Sequence, residues 1–145
     1  MRPLALWMLP VLLASSFAAV PQSIDDLKAR ADNGRPEDRI GICLQIAWQQ
    51  LNRADKLFTD GDAVQAHAAV RDVVTYSQKA GTAASQTKKH QKDVEISIRK
   101  LAKKLRDIKR TLAFEDQPGV EKAIQELESI RTALLKEMFS KEKKK

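Results

Sequence analysis

Hydrophobic residues recur at steps of three and four along most of the chain, which is the spacing of helices that bury one face. Between Ala66 and Leu112 these two steps alternate without interruption, in one heptad frame. The positions are Ala66, Val70, Val73, Ser77, Ala80, Ala84, Thr87, Gln91, Val94, Ile98, Leu101, Leu105, Ile108 and Leu112. Two helices joined by a loop at Gly81 would have no reason to share a phase. The frame therefore predicts one central helix over about residues 62–114.

Two shorter helices are predicted to flank the central one. An apolar stripe that begins behind Pro36 predicts a helix over about 36–59, and a second stripe behind Pro118 predicts one over about 118–139. Because the connections are short, each helix should fold back antiparallel along one half of the central helix. The predicted fold is an all-α, elongated helical bundle. The alternative is a compact four-helix bundle that is broken near Gly81.

Residues with known helix-end chemistry support these boundaries. Gly61 can adopt the left-handed conformation that ends a helix, and Asp62 can cap the helix that follows. A capping residue at Ser23 also predicts a short first helix, which ends at Asn33-Gly34.

The turn between the first flanking helix and the central one resembles the middle of a tetratricopeptide repeat. The resemblance is carried by Ala54, Leu57, Gly61-Asp62 and Ala66. It covers roughly residues 50–78, once only, and departs from the family where Gln50 replaces an aromatic residue and Gln78 a proline. The resemblance implies a pair of antiparallel helices. Because stacked repeats need several copies to bury a shared core, we interpret it as convergent hairpin chemistry.

The N-terminus has the pattern of a secretory signal. A basic start is followed by an uncharged apolar stretch over residues 4–17 and by small residues suited to signal peptidase. We therefore predict a signal peptide over 1–18 that is removed on export, and an uncleaved membrane anchor is the alternative. A single helical domain over 19–145, with a charged tail at 140–145, would then lie in the periplasm or outside the cell.

The positive charge of the chain is concentrated in one segment. Residues 81–112 hold ten lysines and arginines against three acidic residues, which equals the formal net charge of +7 of the whole chain. Five of these cations form a ridge outside the apolar positions: Lys92, Arg99, Lys103, Arg106 and Arg110. A cluster of one sign attracts polyanions, so this basic ridge is a candidate anion-binding site. The alternative is a solvated face that acidic residues of the last helix partly balance.

Residue types that carry catalysis are sparse. Cys43 lies among apolar neighbours and is predicted to be a buried thiol, because a reactive thiolate needs exposure and nearby cations. His67 and His90 are expected to be surface residues, too far apart in the predicted layout to share a metal. The sequence contains no metal-ligand spacing, phosphate loop or nucleophile elbow. It therefore predicts no catalytic residue, no metal site and no cofactor.

These features favour a non-enzymatic exported protein that binds other proteins through its helical surface, as an adaptor or assembly factor. One alternative is a basic holdase-like periplasmic chaperone, and another is a binder of an anionic membrane surface or cell-envelope polymer. Nucleic acid is disfavoured as a partner, because no aromatic side chains accompany the basic ridge and a signal peptide leads away from DNA. A homodimer remains open, since long heptad seams often dimerise.

Overall fold

The chain folds into α-helices throughout the part described by the structure, a computed structural model that covers residues 23–143 apart from the side chain of Lys141. The elements are α1 (Ile24–Asn33), α2 (Pro36–Thr59), α3 (Ala63–Thr87), α4 (Gln91–Thr111), a 3₁₀ turn (Phe114–Asp116) and α5 (Gln117–Glu142). Residues 23–143 contain no strand, which confirms the predicted all-α bundle.

The predicted signal peptide over 1–18 lies outside the described residues. Within the described range, no helix combines the length and apolar character needed to cross a membrane. The last helix reaches Glu142, so it includes the start of the stretch that was predicted to be a charged tail.

Local chemistry sets most helix ends as predicted. The hydroxyl of Ser23 caps α1, and Pro36 is the first residue of α2. Gly61 has a φ of 83°, in the region that favours glycine, and the carboxylate of Asp62 accepts a hydrogen bond from the first turn of α3. These ends depend on residues within a few positions of each other, which is why the sequence predicted them.

The single central helix predicted over 62–114 is wrong. The chain leaves the helix at residues 88–90 and reverses direction, so that the connection following α4 returns to the start of α3. There the Nε2 atom of His67 lies 3.2 Å from the Oδ1 atom of Asp116. The bundle is therefore compact, as in the alternative, but its break does not lie near Gly81.

The reversal contains no glycine or proline. The hydroxyl of Thr87 donates to the carbonyl of Ala83 at 2.8 Å and accepts from the backbone N–H of Lys89 at 3.3 Å, which ends α3. Lys88 and His90 have left-handed φ values of 57° and 59°. This conformation costs about 1–2 kcal/mol for a residue with a Cβ. The turn is therefore imposed by the packing of the helices that it joins.

Two antiparallel hairpins stack on each other. The first hairpin is α2 with α3 and the second is α4 with α5, so both predicted pairings are confirmed. Gly119 lies beside His67 and Ile130 beside Gly81, which shows that α3 and α5 run parallel. Stacked helix pairs of this kind are also the building principle of α-solenoid proteins.

The first helix covers the free face of the first hairpin. Leu27 and Ala31 of α1 are buried against it. The carboxylate of Asp72 on α3 accepts hydrogen bonds from Lys28 of α1 at 2.8 Å and from the buried Gln50 of α2 at 2.6 Å. One carboxylate thus joins three helices, and it explains why a polar residue occupies position 50. The molecule has three layers, and the second hairpin forms an outer one.

The heptad positions form the core even though the helix is broken. All of them are buried except Thr87 and Leu112, which are half-buried. Gly81, which follows the small frame residue Ala80, lies where α3 approaches α5. A Cβ at Gly81 would lie 2.9 Å from the Cγ2 atom of Ile130, so this glycine permits the close contact and does not break the helix.

Replacing either of two helical glycines by alanine should therefore have opposite effects on the stability of the fold. Gly41→Ala should raise the free energy of unfolding by about 1 kcal/mol, because Gly41 is exposed, has no neighbour within 4 Å and would gain helix propensity. Gly81→Ala should lose that gain, because overpacking against Ile130 costs about 1–3 kcal/mol. Urea unfolding of both variants measures the difference. Equal stabilisation by the two substitutions would contradict the close packing of α3 and α5.

Candidate functional site

The outer face of the second hairpin carries the predicted basic ridge. It consists of the side of α4 that faces away from α2 and α3, together with the adjoining side of α5. Of the ridge residues, Lys92, Arg99, Lys103 and Arg110 are exposed and Arg106 is half-buried. The prediction that the ridge lies outside the apolar core is therefore confirmed. Its role in binding anions stays a prediction.

A chain of ion pairs joins α4 to α5 along the edge of this face. The guanidinium of Arg131 donates to Glu95 at 2.6 Å and to Glu128 at 3.2 Å, and Glu128 also accepts from Arg106 at 2.8 Å. Glu95 is only 6% exposed, so removal from water strengthens its interaction with Arg131. The hydrogen bond from Arg106 lowers the pKa of Glu128 below its ordinary value, and Glu95 raises the pKa of Arg131.

These ion pairs divide the ridge into neutralised and unneutralised parts. Arg106 is bound to Glu128, and Arg110 lies 3.7 Å from Asp107. The remaining ridge residues have no acidic partner within residues 23–143: Lys92, Arg99 and Lys103. Acidic residues of α5 thus neutralise Arg106 and also the neighbouring Lys109, which lies 2.6 Å from Glu121. The half of the face that begins at Lys92 keeps a net positive charge.

A groove between α3 and α5 is the feature that sequence reasoning missed. Two cavities of about 930 and 710 Å³ share Val74, Thr75 and Glu126, so they form one continuous depression. The groove follows α3 from His67 to Gln86, a length of about 30 Å at a rise of about 1.5 Å per residue. Its exposed apolar surface comes from the half-buried Val74 and the exposed Ala133, above the buried Ile130 and Leu134. No sequence pattern could locate it, because it exists only where the two hairpins stack.

The rim of this groove is polar. In the larger cavity it is lined by the charged Lys79, Glu126 and Glu137, together with hydroxyl and amide side chains: Thr75, Gln78, Thr82, Ser85, Gln86 and Ser129. An apolar floor with a polar rim has the character of a surface that accepts an amphipathic helix.

The two histidines lie at opposite ends of the bundle. His90 is exposed in the reversal, as expected. His67 is not a simple surface residue: its side chain is 25% exposed, meets the ring of Phe58 edge-on at 5.1 Å and contacts Asp116 and Gly119. It joins α2, α3 and the start of α5. Among the described side chains, no group of three or more potential ligands is placed to hold a metal ion.

Cys43 is fully buried, which confirms the prediction of a packed thiol. Burial raises its pKa above the ordinary value and so disfavours the reactive thiolate. The side chain therefore serves as a small apolar residue in the core of the first hairpin.

Comparison of the chain with protein-family models, with curated proteins and with solved structures finds no match. Two surfaces of the described chain are candidates for binding. The outer face of the second hairpin offers concentrated positive charge, and the groove between α3 and α5 offers shape and apolar area.

The ion pairs of Glu128 predict a loss of stability in acid. Because the folded-state pKa lies below the ordinary 4.5, this carboxylate stabilises the fold above pH 4.5, and the contribution is lost as the pH falls through the folded value. As the pH falls below 4.5, the free energy of unfolding should therefore decrease less in Glu128→Gln than in the native protein. Urea titrations above and below pH 4.5 measure it.

Glu126→Gln is the matched control, because Glu126 faces the groove and has no cationic partner in the described range. If both variants changed the acid dependence equally, the ion-pair chain would not be its cause.

Proposed function

We propose that this is a non-enzymatic interaction protein, exported to the periplasm or the cell exterior by its signal sequence, which binds an anionic partner through the outer face of the second hairpin. One observation carries the proposal. Lys92, Arg99 and Lys103 are exposed on a single face without acidic partners in the described chain, whereas the neighbouring Arg106 and Lys109 are neutralised by α5.

The spacing of these cations suits an extended anion. Lys92 and Arg99 lie about two helical turns apart and Lys103 follows one turn later, so the array spans about 16 Å. Screening at physiological ionic strength acts over about 8 Å, so Arg99 and Lys103, about 6 Å apart along the helix, reinforce each other's field. Lys92, about 10 Å from Arg99, adds a separate contact at the end of the array. A single small ion would contact only one of them. A polymer or a surface with repeated negative groups would meet all three.

Neutralising the array tests this proposal. The variant Lys92→Gln, Arg99→Gln, Lys103→Gln should bind a soluble polyanion such as dextran sulfate about a hundredfold more weakly, since each cation near an anionic surface contributes about 1 kcal/mol. The native protein should bind less well as salt rises. Fluorescence anisotropy with labelled polymer measures both effects.

A control variant removes the same charge from exposed lysines elsewhere that have no ion-pair partner in the described chain: Lys56→Gln, Lys122→Gln and Lys136→Gln. It should bind the polymer as the native protein does. Equal weakening in the two triple variants would mean that net charge alone is responsible, and the proposed site would be wrong.

A second candidate function, the adaptor, is favoured by the groove between α3 and α5. Its proposed occupant is an amphipathic helix of a partner protein, with an apolar stripe that would cover Val74 and Ala133. The length of the groove, on the order of 30 Å, would accept about five helical turns. This function and anion binding use different faces of the molecule, so each can be tested while the other is left intact.

Blocking the groove tests the adaptor. A photo-crosslinking residue placed at position 82, in the groove, should form one discrete product with a single partner protein. Ala133 is exposed within the groove, and Ala133→Trp should abolish that product. The control Thr132→Trp adds the same bulk at an exposed neighbouring position outside the groove and should leave that product unchanged. Crosslinking that persists in both variants would refute the groove as the site. Crosslinking spread over unrelated unfolded chains would indicate the holdase alternative.

A further inference from the structure

Phe139 is an exposed aromatic residue near the end of α5. Its side chain is 59% exposed, although burying a phenylalanine is worth about 1.5–3 kcal/mol. Phe114, the other exposed phenylalanine in the described chain, is 85% exposed and lies at the opposite end of the bundle, between α4 and α5. The described residues thus offer two exposed phenylalanine rings in different electrostatic surroundings.

Helical geometry places Phe139 on the outer face of the second hairpin. Glu121 and Glu128 define the side of α5 that faces α4 there, because they pair with Lys109 and Arg106. Phe139 follows Glu121 by about five full turns and therefore points in the same direction. Half-buried Leu135 follows Glu128 by about two turns and lies between them. An apolar strip on α5 thus borders the basic ridge of α4.

The apolar strip lies at the unneutralised end of the ridge. The amide of Gln91 donates to the carboxylate of Glu137 at 2.7 Å, so the end of α5 lies beside the start of α4, where Lys92 is exposed. In the sequence, Phe139 is followed by four further basic residues: Lys141, Lys143, Lys144 and Lys145.

Acidic side chains in the same region only partly offset this charge. They are Asp93, which lies 3.4 Å from His90, Glu137, which lies 3.8 Å from Lys88, and Glu142 in the last turn of α5. Residues 137–145, which include Phe139, hold four basic residues against two acidic ones.

We infer that the anionic partner is a lipid bilayer surface, which the outer face of the second hairpin meets with the cations against phosphate headgroups and the Phe139 ring inserted between them. This inference rests on the proposed function. A soluble polyanion needs only the cations, whereas an interface between headgroups and acyl chains also rewards an aromatic ring. Phe139 therefore distinguishes the two kinds of anionic partner.

The test compares binding of the full chain to vesicles of phosphatidylcholine with and without phosphatidylglycerol. Binding should require phosphatidylglycerol and should weaken with salt. Phe139→Ala should lower the affinity for the anionic vesicles by about tenfold and leave dextran sulfate binding unchanged. Phe114→Ala is the matched control and should alter neither. Neutral vesicles measure any binding through residues 1–22, which every variant shares.

The outcomes separate this inference from the proposed function. The lipid surface is refuted as the partner if the protein binds anionic and neutral vesicles equally well. It is also refuted if Phe139→Ala and Phe114→Ala bind the anionic vesicles with the same affinity. If dextran sulfate binding still depends on Lys92, Arg99 and Lys103, the proposed function survives that result. If the triple variant binds dextran sulfate as the native protein does, both fail. The inference would also be refuted if the anionic partner were an acidic protein that the native chain and Phe139→Ala bind equally well.

Discussion

Burial of the apolar stripe of α4 against both α5 and α3 determines the architecture. The stripe consists of residues at most 3% exposed: Val94, Ile98, Leu101, Leu105 and Ile108. Each contributes about 1.5–3 kcal/mol when removed from water. The left-handed residues Lys88 and His90 oppose this by about 1–2 kcal/mol each. A straight rod would avoid that strain but would leave the flanks of both hairpins in water. Burial therefore outweighs the strain, and the chain reverses without a glycine.

Stacking creates an outer face that must remain soluble. In helical repeat architectures the terminal unit needs a polar outer surface for this reason. One side of the molecule is covered by α1, and the other is protected by the charges of α4 and α5. The ion-pair chain forms the neutral part of that protection, with two glutamates balanced by two arginines: Glu95, Arg131, Glu128 and Arg106. The end near Lys92 keeps its positive charge. Solubility requires a polar surface but not charges of a single sign. The proposed function is therefore based on the excess of positive charge at one end of this face.

The heptad frame identified the buried positions correctly and the path of the chain incorrectly. The reversal occupies one four-residue step of the frame, between Thr87 and Gln91, so the apolar phase continues through it. Thr87 ends α3 with its own hydroxyl, a signal much weaker than the glycine at position 81. That glycine instead permits contact with Ile130, on a helix far away in the sequence. A persistent phase therefore shows which residues are buried, but not that they belong to one helix.

By itself, the sequence determined the helical class, the caps at Ser23 and Asp62, the turn at Gly61 and the exposure of most ridge residues. Each depends on neighbours within one or two helical turns, so a local pattern is sufficient. Only the tertiary structure decided that the chain reverses at 88–90, that a groove opens between α3 and α5, and that Arg106 is neutralised while Lys92 is not. These features depend on burial and charge pairing between helices distant along the chain, and no local spacing encodes which of the competing arrangements buries the most apolar surface.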